Sequence, residues 1–208
     1  MNAPDALILF GDWCRGDAAA GRKLIQRFSP PLERFFASKV PPEAVDDLLQ
    51  KTWLALIEAN ERRCQERTMA TGEHDPSLPE VRNFRGYLFG VARHTVLRYY
   101  RDHRGQEIDP DVETVEALAP TLSRQLSLKR HVKQLELALQ MLPLDLQMLA
   151  EARYLEDLSG PELADMLGIP EGTVRSRLSR ARRLLDEALE RLEHVTRPRS
   201  PGRPLGGL

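Results

Sequence analysis

Apolar residues recur along this chain every three or four positions, the spacing that turns one face of an α-helix inward. No stretch alternates β-branched and polar residues between turns, so an all-α fold is predicted. A first helix reads from Asp5 to Cys14. Gly16-Asp17 breaks it and caps a second, Asp17 to Phe28, and Ser29-Pro30-Pro31 starts a third that runs through Val40. Pro41-Pro42 opens the next. From Glu43 to about Arg63, Val45, Leu49, Thr52, Leu56 and Ala59 form an inward stripe, which leaves Asp47, Gln50, Lys51, Leu54 and Glu58 facing out. Turn formers crowd the segment from Arg67 to Leu78, which predicts a loop. Helix resumes after Pro79: Phe84, Leu88, Ala92, Thr95 and Tyr99 make its buried stripe, and Gly90, Arg93, His94, Leu97 and Arg101 fall on the other face.

Charge then divides the chain. Arg82, Arg85, Arg93, Arg98, Arg101 and Arg104 are answered in their own segment by Asp102 alone, whereas residues 105–120 carry Glu107, Asp109, Asp111, Glu113 and Glu116 with no basic residue. The acidic stretch reads as a flexible linker between two small helical domains, residues 1–104 and 121–195. Helices are predicted from Thr121 to Met141 and from Pro143 to about Leu155. The last residues, 196–208, are rich in Pro, Gly and Arg and cannot bury enough apolar surface to offset their ordering entropy, so they read as a disordered tail.

The second domain ends in a helix-turn-helix pattern. Ser159 can cap a short helix, with Glu162 completing a capping box, and Leu163, Ala164 and Leu167 supply its apolar side. Gly168 can adopt the left-handed conformation that ends a helix, Ile169 plugs the corner, and Pro170 precedes a second helix. Val174, Leu178, Ala181, Leu185, Ala188 and Leu192 form the stripe of that helix. Opposite it project Gly172, Thr173, Ser176, Arg180 and Arg183, flanked by Arg175 and Arg182 on one side and Arg177 on the other. A basic, hydrogen-bonding face on the second helix of such a unit suits the major groove of DNA: residues near the helix start reach base edges and later arginines meet phosphates.

The run LSGPELADMLGIPEGTVRSRLSRARRLL closely resembles the last DNA-binding domain of extracytoplasmic function sigma factors. Two further stretches resemble the same family: DDLLQKTWLAL its polymerase-gripping helix, and FRGYLFGVARHTVLRYYRDHR the helix that reads and melts the minus-ten element. The resemblance implies a sigma factor of two domains: one that binds core RNA polymerase and opens DNA, and one that recognises the minus-thirty-five element. It also implies roles. Arg175, Ser176, Ser179 and Arg180 are expected in the major groove with Thr173 and Arg183 on phosphates. Arg93, His94, Leu97 and Arg101 are expected at the upstream edge of the bubble, and Asp47, Gln50 and Leu54 on the polymerase. Expected partners are core RNA polymerase, through its β′ and β subunits, and promoter DNA, with an anti-sigma protein as a further candidate. The chain also departs from the family: Lys51 stands where an acid is usual, Gly21 replaces an aromatic, and His94 and Arg98 replace Asn and Asp. The segment from Glu61 to Arg82 is longer than the usual connection.

Composition excludes other classes more than it selects this one. A formal net charge of −1 over 208 residues does not announce a nucleic-acid partner, so the argument rests on where charges sit. Cys14 and Cys64 are too few for a disulfide framework, and no stretch reads as a signal peptide or membrane span, which makes the cytoplasm the expected compartment. His74, His94, His103, His131 and His194 lack metal-ligand spacing with those cysteines, and no glycine loop cradles phosphate. No catalytic residue, metal or cofactor is expected. A helix-turn-helix regulator that recruits no polymerase is the alternative, but it would need a ligand or receiver domain that the N-terminal half does not resemble.

Overall fold

The computed structural model describes residues 3–71, 81–118 and 130–196. The described residues form helices and turns with no strand, as the periodicity predicts. In chain order the helices are α1 (Ala3–Cys14), α2 (Ala18–Ala37), α3 (Pro42–Thr71), α4 (Phe84–Arg104), the short α5 (Val115–Leu118), α6 (Arg130–Gln140), α7 (Leu144–Tyr154), α8 (Gly160–Leu167) and α9 (Glu171–Thr196). No described helix is long and apolar enough to cross a membrane. The expected tail at 196–208 lies outside the described residues, apart from Thr196, and so do residues 72–78 of the expected loop and 121–129 of the helix expected from Thr121; the loop's first residues, 67–71, are the end of α3.

Helices α1 to α4 pack around an aromatic centre. Phe10 and Phe28 each meet the Phe84 ring, at centroid distances of 5.0 and 5.3 Å, and Phe35 meets Phe89 edge to face at 5.4 Å. Asp17 caps α2 by accepting from the Ala19 and Ala20 amides at 2.8 and 3.2 Å. The helix does not stop at Ser29-Pro30-Pro31. It continues through both prolines, because Leu24, Phe28, Leu32, Phe35 and Phe36 keep one buried face across the site and that burial outweighs the local cost of proline. Helix α3 likewise outruns its expected end near Arg63, since no glycine or proline interrupts the chain before Gly72. Its inward stripe is centred on Leu48, Thr52, Trp53 and Leu56, with Val45 and Leu49 at the margin. Gly21 makes room for an aromatic from α1: a Cβ there would lie 2.5 Å from the Trp13 indole nitrogen.

Helices α6 to α9 form a second group, yet one buried cluster runs from Ala6 and Phe10 through Val115 and Leu144 to Leu163, Met166 and Val174. The acidic segment lies within this packing. Glu113 and Pro110 carbonyls accept from the Leu144 and Asp145 amides at 2.8 and 2.9 Å, filling orphan donors at the start of α7, and Val115 is fully buried.

A charged pair also crosses between the two groups. Lys39, fully buried after the end of α2, donates to Glu151 of α7, to the Phe35 carbonyl at 2.6 Å and to the Ser38 hydroxyl at 2.9 Å. Its ammonium also lies 4.0 Å from the centre of the Phe35 ring. Gln147 donates to the other Glu151 oxygen at 2.8 Å, and the Tyr100 hydroxyl donates to the Lys39 carbonyl. Burial lowers the Lys39 pKa and Glu151 opposes that shift. A buried ion pair adds little net stability against an apolar pair of the same volume, but stranding one member is expensive. Glu151→Ala should therefore lower the unfolding free energy by roughly 3 to 5 kcal/mol. The double variant Lys39→Met with Glu151→Leu should recover most of that loss, as urea denaturation of both proteins beside the parent will measure.

Candidate nucleic-acid interface

The helix-turn-helix is built as its residues predict. At the start of α8, Ser159 and Glu162 form a capping box in which the Ser159 amide donates to the Glu162 carboxylate at 2.7 Å. Gly168 ends α8 in the left-handed region, at φ 66°. The Ile169 amide returns to the Ala164 carbonyl at 3.2 Å, and the Pro170 carbonyl accepts from Thr173 and Val174 to start α9. Val174, Ala181 and Ala188 are buried, with Leu178, Leu185 and Leu192 partly so.

This fixes the rotation of α9 about its axis. Thr173, Arg175, Ser176, Ser179, Arg180 and Arg183 are all exposed on the side away from the stripe. Ser176 donates to the Thr173 carbonyl at 2.9 Å and Arg183 pairs with Glu187 at 2.6 Å, both local contacts open to exchange with a ligand. Arg177, on the flank, is engaged elsewhere: it meets Asp111 at 3.1 Å and Asp145 at 3.5 Å.

Among the four candidate residues of α4, His94 and Arg101 are exposed, and Arg101 faces Asp102 and Glu107 at 3.8 and 3.6 Å. Leu97 is half-buried against the core. Arg93 is drawn inward, its side chain only 13 % exposed, and forks onto both oxygens of Asp145 at 2.7 Å each. Gly90, expected on the outward face, is buried because α8 lies across it. Of the rings on α4, Phe84, Phe89 and Tyr100 are core, while Tyr87 is partly exposed and so is Tyr99, which the stripe placed inside. Partial burial, and next the Arg93 guanidinium, lower the His94 pKa, with Asp145 opposing the shift.

On α3, Asp47, Gln50 and Leu54 share one exposed face, with Leu54 55 % exposed. Lys51 pairs with Asp47 at 2.6 Å across one helical turn. Beside them a groove of about 310 Å³ runs between α3 and α4, floored by Leu48 and Thr95 and walled by Leu54, Arg98 and Tyr99. Lys39, Asp145 and Glu151 had no sequence signal. Asp145 reads as an ordinary first-turn acid, and Lys39 follows a helix end where lysine is common.

Residues 133–193 match the family model of sigma-70 region 4. The RNA polymerase sigma factor HrpL of Pseudomonas syringae pv. syringae is 30 % identical over 150 residues, 70 % of this chain and 73 % of HrpL. The chain belongs to the sigma-70 family of RNA polymerase sigma factors. Within it the extracytoplasmic function subgroup is the match: the sigma-E factor of Escherichia coli K12 is 26 % identical over 188 residues, 86 % of this chain and 91 % of that one. CnrH, solved in complex with the cytosolic domain of CnrY, has the same fold, with a TM-score of 0.60 at 24 % identity over 90 % of this chain and 98 % of CnrH.

For a sigma factor, the exposed face of α3 yields a direct test. Leu54 offers the apolar area and Lys51 reverses a charge, so Leu54→Ala should weaken binding to core polymerase, whereas Lys51→Glu should preserve or strengthen it. Exposed charge effects stay within about 1 kcal/mol, so the leucine carries more weight. Competition binding measures both, and unchanged affinity in the two variants would remove α3 from the interface.

Proposed function

We propose that this sigma factor docks core RNA polymerase through α3, recognises the upstream promoter element with α9 and opens the downstream element with α4. The observation that carries the reading is the α9 face: six basic or hydroxyl side chains, all exposed and on one side of a helix entered through a tight turn. Arg175, Ser176, Ser179 and Arg180 are assigned to base edges, Thr173 and Arg183 to phosphates. Arg93, His94, Leu97 and Arg101 are assigned to the upstream edge of the bubble, and Asp47, Gln50 and Leu54 to the β′ subunit. In this division residues 1–104 act as domain two, 105–120 as the connection and 121–195 as domain four.

Strand opening requires no catalytic residue. A protein that binds an unstacked base better than a paired one shifts the melting equilibrium by that difference in affinity. The chain is therefore assigned a regulatory rather than an enzymatic role, without metal or cofactor, in the cytoplasm where its polymerase works. CnrH is held by the cytosolic domain of a second protein. The sigma factor RpoE of Bartonella quintana is solved in complex with the anti-sigma factor NepR, and an anti-sigma protein is assigned as a further partner of this chain.

Purified chain added to core polymerase should direct initiation on a promoter from its own genome with no other sigma factor present. Arg175→Ala and Arg180→Ala should each cost about 1 to 3 kcal/mol at that promoter, with altered base preference in the upstream element. A general, salt-dependent loss would instead mark them as phosphate contacts. Arg101→Ala should slow opening, and a pre-melted template should restore much of the rate. Failure of the parent protein to initiate, with any inhibitory partner absent, would leave a regulator that is not a polymerase subunit.

A further inference from the structure

Helix α7 starts without a side-chain cap. Pro143 stands at its cap position and carries no side-chain acceptor, so the first amides of the helix take partners from elsewhere in the chain. The acidic segment supplies them: the Leu144 amide donates to the Glu113 carbonyl at 2.8 Å and the Asp145 amide to the Pro110 carbonyl at 2.9 Å. Its own contacts shape it for this. The Asp109 carboxylate accepts from the Asp111 amide at 3.0 Å and the Asp109 carbonyl from the Glu113 amide at 2.8 Å, which closes a turn. Thr114 bridges to Pro143, and Val115 beside it is fully buried.

The same turn reaches α9. Arg177 donates to Asp111 at 3.1 Å, and its second branch lies 3.5 Å from Asp145. Asp145 also takes the Arg93 fork, so one carboxylate faces two guanidinium groups and Asp111 supplies the second negative charge. These contacts form a ring. The Asp145 amide holds Pro110, Asp111 beside Pro110 holds Arg177, and Arg177 returns to the Asp145 carboxylate. Arg177 belongs to the stretch of α9 that presents Thr173, Ser176 and Arg180. Apolar packing is thin there, with Val174 buried, Leu178 only partly so, and alanine next in the stripe at 181. Such packing selects which side of the helix faces in, whereas a guanidinium held between carboxylates from two elements also fixes the roll about the axis. A roll of about 10° moves a side-chain tip roughly 6 Å from the axis by about 1 Å, enough to spoil hydrogen bonds to base edges.

We propose that Asp111 is a positioning residue for promoter reading: through Arg177 it sets the roll of α9, and the turn from Asp109 to Val115 belongs to the DNA-reading half rather than to a passive connection. This rests on α9 being the DNA-facing helix, as proposed for this sigma factor. Neither Asp111 nor Arg177 is assigned a contact with DNA. An exposed ion pair of this kind adds little to stability. Its loss should therefore appear in the choice of bases and not in the fold.

The test uses the full chain bound to core polymerase, with two templates in one reaction: the chain's own promoter, and the same promoter with one base pair of the upstream element changed. The ratio of the two transcripts comes from one protein sample, so any misfolded fraction cancels. For the parent it should be about tenfold or more. Asp111→Asn should lower the ratio about threefold with the thermal midpoint nearly unchanged, and Asp111→Glu should keep most of it. Arg177→Ala should lower it as far as Asp111→Asn does, and the two substitutions together should lower it no further. Glu116→Gln, the same charge change on an exposed residue of the same segment, should leave it at the parental value. A parental ratio in Asp111→Asn would overturn the proposal. So would an Arg177→Ala protein that loses activity equally on both templates with a steeper effect of salt, because Arg177 would then be a phosphate contact. A parent that does not distinguish the two templates removes α9 from base reading, and the role of Asp111 falls with it; a parent that does, beside an unaltered Asp111→Asn, removes the role of Asp111 alone.

Discussion

Helix α8 reaches α4 only because α4 lacks two side chains. Gly86 and Gly90 flatten one strip of its surface, and the α8 backbone lies along that strip, at a distance that excludes a Cβ at Gly86 and leaves little room for one at Gly90. The rest of the arrangement follows from this approach. Glu162, which completes the cap of α8, is itself almost buried at the seat and stands 3.6 Å from Arg85. The turn that begins the helix-turn-helix is therefore also the turn that touches the N-terminal half. Gly168 then sets the direction of α9 from α8, so the basic face of α9 is oriented relative to α4 through a short chain of rigid contacts.

The surroundings of that seat are unlike a domain core. Apolar burial is continuous across it, from Phe10 and Phe84 to Leu163 and Met166, yet Lys39, Asp145 and Glu151 are buried in the same region, with Arg93 half-buried on Asp145. Buried pairs of this kind lose much of their Coulomb attraction to desolvation, and their geometry selects one arrangement over others that are equally greasy. A contact rich in ion pairs can also be given up to water at modest cost, as interfaces between moving parts commonly are. Glu136 adds to the charge: one of its oxygens is buried without a partner among the described residues, and burial, with Glu151 second, raises its pKa.

Much of this was legible from residue spacing. The stripe of α9 and its outward residues followed from a period of 3.6, since a helix packed on one side has only one possible rotation. The same arithmetic misjudged Gly90, because the outward face of α4 has a second neighbour more than 60 residues away that no local pattern reveals. Pro30 and Pro31 misled for a related reason: their local preference is real, but Leu24, Phe28 and Leu32 bury one face across them, and tertiary packing outweighs propensity. Lys39 had no signal at all. Its burial depends on Glu151, a partner 112 residues further on.

The acidic connection has a further consequence. Stretched out, residues 105–120 would span up to about 55 Å, but here the Pro110 and Glu113 carbonyls complete the start of α7 and Val115 is sunk in the core. Even when released, a tether of this length keeps each half at an effective concentration in the millimolar range around the other. Return of the halves to this packing is thus a first-order event within one molecule. Its competition with DNA or polymerase does not depend on how many copies of the chain a cell holds, only on how much of the competitor is present.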